Sequence, residues 1–197
     1  MAIRTRPVAF PAVTLTLFHD YTSPASAVAV ARAQRLADEG IPVEFVGFEA
    51  IGLDVALPPP LDVLIAVESL QDEATAEGIV LKRPLLTPPT AKAHAIAELA
   101  EQHDLGASWR QRCYRAYWAD GAAIDDDMIL VDLAGDAGLR GDVVTDALRR
   151  PGFVTDVRRR SGAHRRNGVG GVPTLLVQRT LVPGMLSEAQ LRELADY

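Results

Sequence analysis

The stretch VTLTLFHDYTSPAS, residues 13–26, predicts the first strand, the start of the first helix and a polar corner between them. Apolar side chains alternate with threonines in its first half, which predicts a β-strand over residues 12–18. An Ala/Val-rich segment follows and predicts a helix over residues 24–39, with Ser23 at the N-cap and Pro24 in the first turn. Because a helix N-terminus carries partial positive charge and unpaired N–H groups, this strand-to-helix corner can hold an anion.

The segments that follow predict an α/β chain whose middle is helical. A second strand over residues 43–48 completes a strand–helix–strand unit, which should be parallel and right-handed. Thr90 and Ser108 are expected N-caps of two helices in the middle part. The expected helices cover residues 61–78, 90–102, 108–118, 125–135, 142–149 and 155–166. Two strands then follow, over residues 172–177 and 181–183, and the last helix begins after Ser187 with a capping-box pattern.

Length and composition suit a soluble globular protein. The chain has 197 residues, which fits one domain or one domain carrying an insertion. Its formal net charge of −6 gives no reason to expect nucleic-acid binding, and it contains no apolar run long enough to span a bilayer. Two arginines stand within residues 1–10, but no apolar signal-peptide core follows, so we expect a cytoplasmic protein.

The sequence gives no support for a metal-binding protein or for a protein stabilised by disulfide bonds. Cys113 is the single cysteine, so an intramolecular disulfide is excluded and we expect a buried, small apolar side chain. The four histidines show no metal-ligand spacing, and we expect no metal.

Two motifs resemble the thioredoxin superfamily, and specifically its DsbA-like branch. Ser23-Pro24-Ala25-Ser26 stands where that branch has Cys-Pro-x-Cys, and Gly171-Val172-Pro173-Thr174 resembles its cis-proline segment. Two stretches of the helical block, PTAKAH (89–94) and YRAYWADG (114–121), resemble the FrnE-like subgroup. The resemblance implies a thioredoxin fold, βαβ…αββα, with a large all-helical insertion. The implied thioredoxin-fold domain covers residues 12–55 and 155–197, and the implied insertion covers residues 56–154.

Both redox positions are serine, so the thiolate attack of disulfide exchange is not open to this corner. The pattern Ser-Pro-x-Ser resembles the kappa-class glutathione transferases and the 2-hydroxychromene-2-carboxylate isomerases. This resemblance implies an enzyme that uses glutathione, or a similar low-molecular-weight thiol, to transform a small organic substrate. It assigns Ser23 and Ser26 to catalysis, with Ser23 donating to the thiolate, and Val172 and Pro173 to the peptide of the thiol. Ser187 would lie near the γ-glutamyl end, and kappa-class relatives suggest a homodimer.

Two departures from that pattern keep a second hypothesis open. Ala25 replaces the usual aromatic residue, and the expected acidic partner is absent or shifted to Glu188. The alternative is a non-catalytic or degenerate homologue that binds a small ligand or a peptide. On that interpretation Ser23 is a helix cap and Ser26 a helix-surface serine.

Other candidate residues also have a functional and a structural interpretation. His19 and Asp20 could act on a substrate proton, but a hydrogen bond at the strand end is favoured. His94 could face the substrate cleft, although a packed or solvated histidine is the commoner case. The basic run over residues 158–166 is expected to be a solvated helix face, with attraction of an anionic ligand as the alternative. An aromatic cluster is expected to form the core of the insertion or to line the cleft: Trp109, Tyr114, Tyr117 and Trp118.

Overall fold

The computed structural model describes residues 13–196, which form four strands and nine helices. In chain order these are β1 (Leu15–His19), α1 (Pro24–Asp38), β2 (Val43–Gly47), α2 (Leu61–Ser69), α3 (Gln71–Ala76), α4 (Ala91–Glu101), α5 (Gly106–Trp118), α6 (Asp127–Ala137), α7 (Gly141–Arg149), α8 (Phe153–Arg166), β3 (Thr174–Val177), β4 (Thr180–Pro183) and α9 (Glu188–Ala195). The expected order βαβ, helices, αββα and the thioredoxin fold are confirmed. No helix in this part of the chain is both long and apolar enough to cross a membrane.

The four strands form one sheet in the order β2-β1-β3-β4. Strand β1 is parallel to β2 and antiparallel to β3, with His19 opposite Gly47 and Phe18 opposite Thr174. This register brings three chain segments to one edge of the sheet: the corner after β1, the residues after β2 and the residues before β3. Polar groups from distant parts of the sequence therefore meet at this edge.

Helices cover both faces of the sheet. Helices α1 and α9 pack together over the face that contains Leu15 and Leu17. Helix α8 covers the opposite face, where the His164 ring lies 4.9 Å from the Phe18 ring. The helices between β2 and β3 pack in a chain, α4 on α8, α5 on α4, α6 on α5 and α7 on α6. Helix α5 also contacts α1, and its Tyr114 reaches the Asp20 carbonyl just before the serine corner.

Three local predictions were wrong in detail. The helix expected over residues 61–78 is split into α2 and α3 at Leu70, whose φ of −99° and ψ of 7° depart from helical geometry. The Gln71 side chain donates to the Val67 carbonyl at this break. Helix α5 begins at Gly106, so Ser108 lies inside its first turn. Thr90 precedes α4 as expected, but at φ −108° and ψ −2° its hydroxyl makes no capping hydrogen bond.

Candidate functional site

The serine corner is built by Ser23 as the N-cap of α1. Its hydroxyl oxygen accepts a hydrogen bond from the Ser26 N–H at 3.1 Å, and its own N–H donates to the Asp20 carbonyl at 3.1 Å. Pro24 has no N–H, so Ala25 carries the remaining donor of the first turn, and it has no acceptor within residues 13–196. The Ser23 hydroxyl still has its hydrogen to donate. An anion at this corner would therefore meet two donors.

The segment before β3 lies at the same edge of the sheet as this corner. The peptide bond between Val172 and Pro173 is cis, and Pro173 is one residue beyond the pairing of Thr174 with Phe18. The Pro173 carbonyl accepts from the Gly184 N–H at 2.9 Å. Val172 is half-buried, and within the described part of the chain its backbone N–H and C=O make no hydrogen bond. An extended peptide could pair with this free backbone edge.

Ser26 is completely buried, unlike Ser23, which is half-buried. Its hydroxyl oxygen accepts from the Asp20 N–H at 3.4 Å, so it links the first turn of α1 to the end of β1. A side chain with no exposed surface cannot contact a ligand in this conformation. The structure therefore corrects the idea of a helix-surface serine and favours a supporting role over a catalytic one.

Behind the corner lies a buried polar cluster that joins β1, α4 and α5. One Asp20 carboxylate oxygen accepts from the Ala50 N–H at 2.7 Å, and the other lies 3.5 Å from Nε2 of His94. The Tyr114 hydroxyl donates to the Asp20 carbonyl at 3.2 Å and lies 2.9 Å from Nδ1 of His19. Because a tyrosine has one hydrogen to donate, both contacts are hydrogen bonds only in the His19 tautomer that carries its proton on Nδ1.

The charges in this cluster follow from burial and from the neighbours. Burial alone would raise the pKa of Asp20, but His94, the Ala50 N–H and Thr90 outweigh it, so the pKa is lowered and the carboxylate is ionised. Burial lowers the pKa of His19 well below its ordinary value, and His94 and Arg110 lower it further. His19 is therefore neutral. Both residues are fully covered, which favours the expected strand-end hydrogen bonds over direct contact with a substrate proton.

His94 is packed rather than exposed to the cleft. Its side chain is completely buried and its ring stacks on Tyr21 at 4.8 Å between centroids. Gly47 leaves the necessary room, because a Cβ at that position would lie 2.5 Å from Nδ1 of His94. His94 thus meets Asp20 beneath the corner.

Ser187 is placed away from the corner. Its hydroxyl caps α9, and with Gln190 it completes the capping box that the sequence predicts. The preceding carbonyl, of Leu186, accepts from Arg32 at 3.2 Å. Arg32 is roughly 14 Å along α1 from Ser23 at the rise of an α-helix. Glu188 is likewise engaged, in ion pairs with Arg35 and Arg192.

The basic run of α8 anchors that helix instead of forming a wholly solvated face. Arg158 pairs with the buried carboxylate of Glu49 at 2.9 Å and with Asp54 at 2.6 Å. Arg165 donates to the Ala50 carbonyl at 2.8 Å and lies over the Phe48 ring. The expectation of a solvated face is therefore wrong for Arg158, whereas Arg165 is exposed as expected. Glu49 was missed in the sequence, although its position directly after β2 could have indicated it.

The remaining candidates are part of the packing. Trp109, Trp118 and Cys113 are completely buried, as the core interpretation of this cluster predicts. Burial raises the pKa of the Cys113 thiol well above its ordinary value, so this sulfur is not a ready nucleophile. Across residues 13–196, no three histidine, cysteine or carboxylate side chains come together as metal ligands.

A sheet of order β2-β1-β3-β4, a helix N-terminus at the end of β1 and a cis-proline before β3 together define a thioredoxin-fold protein. More narrowly, the chain belongs to the family of DSBA-like thioredoxin domains, whose family model matches residues 14–195. A curated relative, the protein YwbO of Bacillus subtilis, is 26% identical over 184 residues, which cover 87% of this chain and 90% of YwbO.

Solved structures share the fold. A probable DsbA oxidoreductase from Streptomyces coelicolor has a TM-score of 0.77 at 22% identity, covering 92% of this chain and 87% of that one. A 2-hydroxychromene-2-carboxylate isomerase has a TM-score of 0.75 at 18% identity, covering 93% of both chains. The cytosolic disulfide reductase DsbM from Pseudomonas aeruginosa, solved with GSH, has a TM-score of 0.59 at 22% identity, covering 90% of this chain and 91% of that one.

Proposed function

We propose that this protein is a transferase or isomerase that uses glutathione, or a similar low-molecular-weight thiol, to transform a small organic substrate. The observation that supports the proposal is that Ser23 and the free Ala25 N–H begin α1 at the same edge of the sheet as the unpaired backbone of Val172. The chain has no sulfur there, since its single cysteine is buried in α5. A reactive sulfur at this corner must therefore arrive on a ligand.

The chemistry follows from the two donors. A thiolate at the N-terminus of α1 would accept from the Ser23 hydroxyl and from the Ala25 N–H, and both bonds favour the ionised form. The thiol pKa would fall, each unit corresponding to about 1.4 kcal/mol of preference for the thiolate. Because the thiolate is the nucleophile, a larger thiolate fraction at neutral pH gives faster attack on an electrophilic substrate.

Two similarities support the choice of thiol and reaction. The 2-hydroxychromene-2-carboxylate isomerase has the same fold over 93% of both chains, and DsbM was solved with GSH. We carry the ligand and the reaction class over from the resemblance of Ser23-Pro24-Ala25-Ser26 to the serine-containing corner of such enzymes. A homodimer and a cytoplasmic location remain part of this proposal, and sedimentation analysis would test the dimer.

A non-catalytic ligand-binding or peptide-binding homologue is the second candidate. Three observations favour it: Ser23 is fully explained as a helix cap, Ser26 is buried, and Glu188 is engaged in ion pairs. Such a protein would use the backbone edge at Val172 without activating a sulfur.

Thermal unfolding with reduced glutathione separates the two candidates. Binding at a hundredfold excess over Kd would stabilise the protein by about 2.7 kcal/mol. S-methylglutathione is the matched ligand, because it keeps the peptide and cannot form a thiolate. The decisive variant is Ser23→Asp, which keeps an N-cap side chain but places a negative charge beside the sulfur. We expect it to match the wild type without ligand and to lose the glutathione effect.

Different results would reject the proposal. If millimolar glutathione gives no stabilisation, the glutathione-dependent enzyme is excluded. If glutathione and S-methylglutathione stabilise equally, and Ser23→Asp binds both, the non-catalytic candidate is the better description.

A further inference from the structure

A groove with a volume of about 720 Å³ runs between α1, α5 and the turn after α3. Its volume lies within the range of small-molecule sites. It begins at Ala27, one helical turn beyond Ser23, and neither Ser23 nor Val172 lines it. The groove is therefore separate from the serine corner, although α1 contributes to both.

The two walls of the groove differ in chemistry. The α1 wall and the turn after α3 supply mainly small and aliphatic side chains, among them Val30, Ala31 and Ile79. The α5 wall supplies two guanidinium groups, Arg110 and Arg115. The α1 side also holds Arg35, but its guanidinium pairs with Glu77 and Glu188. An apolar stretch that faces the cations of α5 fits a ligand that is apolar along one side and negatively charged at one point.

Arg110 is a buried cation in the α5 wall, and one of its N–H groups makes no hydrogen bond. Its side chain is 6% exposed, its guanidinium lies 3.8 Å from the centre of the Phe45 ring, and it pairs with Glu101. One terminal nitrogen donates to the Gln34 side chain at 2.9 Å. The Nε–H has no acceptor among the described residues. Because this nitrogen has no exposed surface, Arg110 contributes positive charge to the groove wall without a direct contact of its Nε with a ligand.

Arg115 supplies a second, accessible cation. Its side chain is 77% exposed, and the oxygen of Asp120 stands 3.9 Å away, beyond hydrogen-bond distance. The acidic side chain of Glu77, which also lines the groove, is held by Arg32 and Arg35. Asp38 lies at the end of the groove and accepts from the Gln34 amide at 2.9 Å.

We propose that this groove binds a small amphiphilic carboxylate, with the carboxylate group on the accessible Arg115 and the apolar body along Val30 and Ala31. The site requires no thiol at Ser23 and stands apart from the proposed enzyme activity.

Calorimetric titration of the full-length protein with 4-phenylbutyrate tests the site, without glutathione. The neutral amide of 4-phenylbutyrate is the matched ligand. We expect the carboxylate to bind about tenfold more tightly than the amide, because only the carboxylate can form charge-assisted hydrogen bonds with arginine. Arg115→Gln should weaken carboxylate binding about tenfold and leave the amide unchanged. Arg112→Gln is the control, because Arg112 lies on the same helix, pairs with Asp136 and does not line the groove.

Two further variants make the test independent of folding and of the thiol chemistry. Ala31→Phe should fill the groove from the α1 wall and abolish binding, whereas Ser23→Ala should leave binding unchanged. The proposal is overturned if carboxylate and amide bind equally, if Arg112→Gln weakens binding as much as Arg115→Gln does, or if millimolar 4-phenylbutyrate does not bind. Loss of binding in Ser23→Ala alone would assign the carboxylate to the serine corner and likewise reject the groove.

Discussion

Nε2 of His94 lies 3.5 Å from a carboxylate oxygen of Asp20, and both side chains are buried beneath the serine corner. The contact depends on a residue in a third element, since His94 packs directly against Gly47 of β2. Gly47 has no side chain, and this leaves the space that the His94 imidazole occupies.

Gly47→Ala should therefore destabilise the protein. The added Cβ would lie 2.5 Å from Nδ1 of His94, so the imidazole or the strand must shift. Overpacking of this kind typically costs about 1–3 kcal/mol, which urea unfolding would measure. Gly170→Ala is the matched control, because no atom lies within 4 Å of its added Cβ and it should change stability by less than about 0.5 kcal/mol. Equal stability of the two variants would contradict the packing.

Stability should fall as the pH drops below about 6.5, the ordinary histidine pKa. The pKa of His19 is held well below that value by burial and by the facing His94 and Arg110, so the unfolded chain takes up a proton that the native protein excludes. The stabilisation is therefore present above pH 6.5 and is lost toward lower pH, by up to about 1.4 kcal/mol per pH unit for one proton. The lowered pKa of Asp20 adds a further loss below about pH 4.

Urea unfolding between pH 5 and pH 7.5 measures this dependence. His19→Asn should flatten it, since the variant has no imidazole to protonate. The control is His103→Asn, because His103 is exposed. A slope that persists in His19→Asn would assign the proton uptake to another group.

Glu77 ties α1 to the turn after α3, and Glu77→Gln should destabilise the protein. Its side chain is 7% exposed and pairs with Arg35 and with Arg32, the latter 12% exposed. Removing the charge would take one carboxylate from two arginines, although Arg32 keeps Glu73 and Arg35 keeps Glu188. We expect a cost of about 2 kcal/mol in the free energy of unfolding, as for the loss of hydrogen bonds to a charged group. Glu68→Gln is the control: its pair with Arg83 spans 3.9 Å between exposed side chains, so the effect should be below about 1 kcal/mol.

Cys113 should resist alkylation in the native protein. Its side chain has no exposed surface, and burial raises the pKa of the thiol, so the reactive thiolate is scarce and covered. Mass spectrometry after treatment with iodoacetamide should show no adduct in native buffer and one adduct per chain in denaturant. Rapid modification under native conditions would show that α5 opens, and would contradict the packing of this helix.

Local patterns in the sequence were sufficient to predict most of the helices and strands. The alternation of residues 13–18 and the cap formed by Ser23 predicted β1 and the start of α1, because both depend on neighbours a few residues away. The boundary between α2 and α3 was missed, since no glycine or proline in the sequence marks the break at Leu70.

The sequence by itself determined the fold class, the polar corner at Ser23 and the absence of a thiol there, because caps, periodicity and composition act locally. The tertiary structure alone decided which polar residues meet. It buried Ser26, brought His94 from α4 against Asp20, and turned Arg158 toward Glu49. Such contacts depend on which side chains the packed helices and the sheet register bring within a few ångströms, and no local pattern encodes that distance.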